Sequence, residues 1–176
     1  MTRRIIPACV ALAALCLPAA AAAAKLPSFP SNSIVIKKSI GGVALGQSAK
    51  KAKSAWGSGK GCTSSKGFDA CTYDGGASGN AQWTAIDGKV VDMHVNVASD
   101  GGRPNFKSPL AALKTSKGIG LGSTYKAVKQ AYPGGLTDDQ HTYWGLQAGR
   151  MKPFTTFIFS NGRVIQINTG DGKHQG

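Results

Sequence analysis

The sequence predicts an α+β protein: two tandem helix-loop-hairpin repeats forming one antiparallel sheet, with short helices on one face. Three observations carry that expectation. A glycine-rich opening near residue 40 recurs 76 residues later. A lysine-bearing amphipathic segment follows each copy. Each copy then returns through two alternating apolar runs joined by Asp-Gly or Asn-Gly, the strongest short-range hairpin signals.

In chain order, residues 1–24 come first. Arg3 and Arg4 precede an apolar stretch from Ile5 to Leu17, Pro18 breaks it, and Ala22-Ala23-Ala24 closes it. A basic start, an apolar core and a small-residue cleavage site make a secretory signal peptide, shorter and richer in alanine than a membrane span. Removing it also removes Cys9 and Cys16, and leaves no transmembrane segment. Cys62 and Cys71 remain, and an oxidising compartment favours a disulfide between them. A lone Cys-x8-Cys with no neighbouring histidine supplies too few zinc ligands, so neither a metal nor a cofactor is expected.

Residues 25–37 form an N-terminal segment, followed by the first repeat unit at 38–99. Its opening, Lys38-Ser39-Ile40-Gly41-Gly42-Val43-Ala44-Leu45-Gly46, matches Lys114-Thr115-Ser116-Lys117-Gly118-Ile119-Gly120-Leu121-Gly122 in the second unit, 114–170. Ser48 and Thr124 are good helix N-caps. After them Ala52, Ala55 and Trp56 share one helical face, as do Val128, Ala131 and Tyr132. Gly57 and Pro133 end the two helices. Residues 100–113 read as a linker and 171–176 as a frayed tail.

The hairpins are 82–95 and 156–168, at an offset of 74, so the intervening loop is two residues shorter in the second unit. Thr72-Tyr73 and Thr142-Tyr143-Trp144 offer further short strands. With two-residue turns, Thr84, Ile86, Val91, Met93 and Val95 share one face, and Trp83, Ala85, Val90, Asp92 and His94 the other. In the second hairpin Ile158, Ile165 and Ile167 oppose Phe157, Phe159, Val164, Gln166 and Asn168. The aliphatic face is expected under the helices. The open face then presents Trp83, Asp92, His94, Phe157, Phe159, Gln166 and Asn168, a mixture of aromatics and hydrogen-bonding groups suited to gripping a protein. A longer loop or a bulge would invert these faces and make the aromatics core.

No phosphate loop, Gly-x-Ser-x-Gly or His-Glu-x-x-His motif occurs. Glutamate is absent and the eight acidic residues are all aspartate, so no acid pair can be placed by spacing. Asp92 and His94 share a strand face without an identifiable nucleophile, and a non-catalytic protein is expected. The formal charge is +13; the leader takes two arginines and leaves +11. The lysines are scattered along the chain rather than gathered in one block. Such a charge favours an anionic envelope polymer or lipid as an alternative partner to another protein; nucleic acid is not expected.

Residues 40–48, the lysine-rich helix and Trp56-Gly57 resemble the opening of the SmpA/OmlA (BamE-like) domain. A secreted tandem of two such units is similar in architecture to the beta-lactamase inhibitor protein family. The resemblance spans roughly 38–169 and implies two helix-loop-hairpin units side by side, with a concave sheet that grips a partner. This chain departs from that family in having a cysteine pair in the first unit alone, and no counterpart to the acidic loop residue the inhibitors insert into their target.

Overall fold

The computed structural model describes residues 25–57, 61–100, 103–147 and 149–174. The expected leader and the end of the expected tail lie outside them. In chain order the elements are β1 (Ser33–Val35), β2 (Ser39–Ile40), β3 (Val43–Ala44), α1 (Ala49–Trp56), β4 (Gly61–Ser65), β5 (Phe68–Asp74), β6 (Asn80–Ile86), β7 (Lys89–Asn96), β8 (Ser99–Asp100), β9 (Arg103–Pro104), β10 (Lys114–Thr115), α2 (Tyr125–Ala131), β11 (Tyr143–Gln147), β12 (Phe154–Ser160) and β13 (Arg163–Gly170). Both helices sit where their caps place them. Ser48 Oγ accepts from the Lys51 N–H at 3.4 Å, and Thr124 Oγ1 from the Ala127 N–H at 3.2 Å. Among the described residues no helix is long and apolar enough to cross a membrane.

The fold is α+β. Seven strands make one antiparallel sheet in the order β11-β12-β13-β7-β6-β5-β4. A single sheet does not account for all strands, however. A small second sheet has the order β10-β1-β2-β3, and β8 pairs with β9 as a separate ribbon. The second sheet exists because β2 and β10 are two-residue strands whose polar backbone needs partners beside a buried core. The N-terminal segment supplies them: β1 runs antiparallel to β2 (Ile34 opposite Ile40) and parallel to β10 (Ile34 opposite Thr115). Ile34, Ile40 and Val43 bury their side chains in the common core.

Local geometry recurs at the offsets read from the sequence. Gly46 N–H donates to the Val90 carbonyl and Gly122 N–H to the Val164 carbonyl, both at 2.8 Å. Ala49 N–H reaches Gly88 O, and Tyr125 N–H reaches Gly162 O, both at 3.0 Å. Each loop ahead of a helix is thereby tied to the hairpin that follows it. Both hairpin turns are two-residue turns with positive φ at each position, 48° and 72° at Asp87-Gly88 and 50° and 69° at Asn161-Gly162. That is the backbone an Asn-Gly or Asp-Gly pair adopts at least cost.

The sidedness of the hairpins is the main correction. In each hairpin the register shifts just beyond the turn, between Thr84 and Ala85 and between Ile158 and Phe159. Val90 pairs with Ala85 but Asp92 pairs with Thr84, leaving Val91 as an extra residue; Ile165 is extra in the same way. A bulge of one residue reverses the face of everything beyond it. Trp83 therefore lies opposite Met93, and Phe157 opposite Ile167. Trp83 and Phe157 are 0% exposed and Phe159 is 7% exposed, so none of the three is a surface residue. Phe157 stacks on Tyr132 with centroids 5.9 Å apart, and Phe159 meets Tyr125 edge-on at 5.2 Å. The aromatic side of the sheet lies under the helices, because large rings fill the gap between sheet and short helices better than isoleucine does.

Cys62 and Cys71 form a disulfide between directly opposed positions of β4 and β5. Closing so short a loop restricts the unfolded chain by about 2–3 kcal/mol.

Trp83→Ala or Phe157→Ala is expected to lower stability by about 3–5 kcal/mol in urea unfolding, as for other large buried rings. A loss below about 1 kcal/mol for either would show that its ring is not core.

Candidate functional face

Register alone defines the face of the large sheet turned away from the helices. Its central row runs Gly145, Thr156, Asn168, His94, Gln82, Thr72, each opposite the next. A second row runs Phe154, Gly170, Asp92, Thr84, Ala70, and a third Ile158, Gln166, Asn96, Asn80, Asp74. Of the residues expected on the open face, Asp92, His94, Gln166 and Asn168 are there. The three aromatics expected beside them are replaced by Thr84 and Gln82 in the first hairpin and by Thr156 and Ile158 in the second.

The two hairpins meet at β7 and β13. Asn168 lies directly opposite His94, and these residues are 74 apart, the hairpin offset itself. An approximate two-fold axis therefore crosses the open face between His94 and Asn168. Gly170 opposite Asp92 and Gln166 opposite Asn96 are disposed about it.

Hydrogen bonds organise the polar rows. Thr72 Oγ1 donates to Gln82 Oε1 at 3.2 Å, and Gln82 Nε2 donates to Thr84 Oγ1 at 3.5 Å. On the other side of the axis Gln166 Nε2 donates to Asn168 Oδ1 at 2.7 Å. Asp92 and His94 make no side-chain hydrogen bond among the described residues. Both are partly buried, and their ionisation reflects it. Burial and then the negative charge of Asp171 push the Asp92 carboxyl up to about 6. Burial alone holds the His94 imidazole below its ordinary value. Each group thus disfavours its charged form.

Apolar side chains flank this polar centre, and sequence reasoning missed them. At the β5 end Phe68 is 42% exposed, opposite Ile86. At the β11 end Tyr143 is 38% exposed, opposite Ile158. Leu136, bridged to Gly145 at the sheet edge, is 65% exposed. The bulge signal was hidden because Val90-Val91 and Val164-Ile165 are uniformly apolar, so alternation cannot reveal an inserted residue. The cross-strand row carries no lysine or arginine from Thr72 to Gly145, and the two flanking rows carry none either. Among the described residues no cluster of three His, Cys, Asp or Glu side chains could hold a metal ion.

No known family description matches the chain, and no curated protein matches it. Among solved structures it is similar to the 1.5 Å crystal structure of an extracellular protein containing a SCP domain from Bacillus anthracis str. Ames, at a TM-score of 0.48 and 12% identity. The alignment covers 73% of this chain and 44% of that one, so the chain spans less than half of that protein's length. At this level the likeness carries neither fold nor function across.

An acid whose pKa rises on folding holds its proton more tightly in the folded state. Asp92 therefore favours folding below its ordinary value near 3.8, and that advantage is lost as pH rises through about 6. Two pKa units correspond to about 3 kcal/mol, which solvent at this partly open position reduces to about 1–2 kcal/mol. Asp92→Asn is expected to raise stability by that amount at about pH 7.5 and hardly at all at about pH 4. Equal gains at both pH values in thermal unfolding would rule this out.

Proposed function

We propose that this chain is an exported, non-catalytic protein-binding module, built of two tandem BamE-like units and gripping its partner with the open face of the seven-stranded sheet. The observation that carries this reading is the composition of that face. Hydrogen-bonding side chains fill its centre, and Phe68, Tyr143 and Leu136 stand exposed at its two ends. Exposed anchors around a polar middle without lysine or arginine suit a protein surface, where charged residues are depleted at the core of the contact.

The two-unit architecture is supported by the matching offsets. The Gly46 and Gly122 hydrogen bonds, the two capping side chains, the paired turns and the bulges at Val91 and Ile165 recur at 76 or 74 residues. Pairing of the two hairpins through β7 and β13, and bracing of the two openings by β1, favour the side-by-side arrangement that the resemblance to the two-unit inhibitors implies. Inhibition of an enzyme is not part of the proposal. Export is supported by the leader sequence and by the Cys62–Cys71 disulfide, which persists in oxidising compartments. The non-catalytic reading is supported by Asp92 and His94, which do not hydrogen-bond to each other or to a hydroxyl nucleophile.

The test places charge on the centre of the face. Gln82→Arg with Asn168→Arg is expected to abolish capture of a partner from culture fluid at high salt, about 0.5 M, where surface electrostatics are screened. Its melting temperature should stay within a few degrees of wild type. Undiminished capture by the double variant would eliminate the open face as the binding surface.

A further inference from the structure

We propose that the opposite side of the molecule, its helix layer, is a dock for an anionic phospholipid bilayer, which leaves the sheet face turned outward. The proposal starts from how charge is distributed. Residues 25–57 and 103–137, which supply both helices and the small sheet, contain twelve lysines and arginines and no acidic residue. All eight aspartates lie in 69–100 and 138–171, the segments that build most of the large sheet. The lysines that look scattered in the sequence are therefore gathered by the fold into segments that carry twelve positive charges, with Asp69 of β5 reaching the same side next to α1.

Within that layer the cations are arrayed in matched pairs. Lys50 and Lys53 on α1 correspond to Lys126 and Lys129 on α2 at the offset of 76. On each helix the apolar side faces the sheet, with Ala52 and Trp56 buried on α1 and Val128 on α2. Lys50, Lys126 and Lys129 are exposed, Lys53 is half-buried, and Lys50 and Lys53 line a shallow cleft that Asp69 of β5 shares. Among the described residues the one ion pair is His174 with Asp171, so none of these lysines is held in a direct ion pair.

Three features favour a bilayer as the occupant. Eleven of the twelve cations are lysine, a hydrated point charge suited to a diffuse anionic surface rather than to bidentate recognition. No large aromatic is exposed on this layer, so nothing there offers the stacking platform that single-stranded nucleic acid uses. The lysines stand on two separate helices on one side of the sheet, a two-dimensional array that matches a surface better than a thread. Each lysine near an anionic bilayer contributes attraction that salt screens, and several together give stable adhesion without an inserted anchor.

The dock does not depend on the open-face reading, and the helix variant that tests it touches no open-face residue. Purified protein carrying every described residue, from Lys25 onward, is sedimented with vesicles of phosphatidylcholine alone or with about 30% phosphatidylglycerol. Binding is expected only to the anionic vesicles and is lost at about 0.5 M salt. Lys50→Gln/Lys53→Gln/Lys126→Gln/Lys129→Gln should weaken partitioning at least about thirtyfold. Glutamine keeps the helical propensity at these positions, and circular dichroism verifies the fold. A control with the same charge change at sheet-side positions, Lys66→Gln/Lys89→Gln/Lys152→Gln/Lys173→Gln, should lose less than about fivefold. Equal losses from the two sets would overturn the dock in favour of net charge alone. Binding to soluble polyphosphate without binding to vesicles would overturn the bilayer in favour of an anionic polymer.

Discussion

One extra residue in each hairpin governs the architecture. Val91 and Ile165 sit one pair beyond their turns and shift the register of β6–β7 and β12–β13. Everything past the bulge changes sides. Trp83, Met93 and Val95 go under the helices with Phe157 and Ile167, and Asp92, His94, Gln166 and Asn168 go to the open face. Without the bulges the rings would share a face with Asp92, His94, Gln166 and Asn168, and the short helices α1 and α2 would have aliphatic side chains in place of rings to cover. The core, the helix placement and the composition of the open face are consequences of this one constraint.

The bulge also concentrates the strong twist of a hairpin near its turn. That frees the far ends of β7 and β13 to pair with each other, and His94 meets Asn168 at the centre of the sheet. The join lies in the middle of the open face rather than at its rim, so any partner bound there touches both halves at once. The small sheet closes the other side. β1 holds β2 and β10 together, and with them the two openings that carry the helices. Two halves too small to bury a core alone are thus tied twice, by main-chain pairing in both layers.

The two sides of the molecule then differ in kind. The helix side is predominantly cationic, and the sheet side is polar at its centre and apolar at its flanks. Partial burial disfavours the charged forms of both Asp92 and His94.

The sequence alone determined the helices, the turns and the offsets. Ser48 and Thr124 are caps whatever surrounds them, and Asp87-Gly88 and Asn161-Gly162 fix two-residue turns by backbone preference that acts within four residues. The cysteine pair was likewise legible, since two cysteines leave one pairing. What only the tertiary structure decided was sidedness. Val90-Val91 and Val164-Ile165 are apolar on both positions, so period-two alternation is silent where the register slips. The choice was made by packing, because Trp83 and Phe157 gain more by filling the space beneath the helices than aliphatic residues would. The gathering of the lysines was hidden for a related reason. Proximity on a folded surface depends on which segments share a layer, and that is set by pairings between residues far apart in the chain.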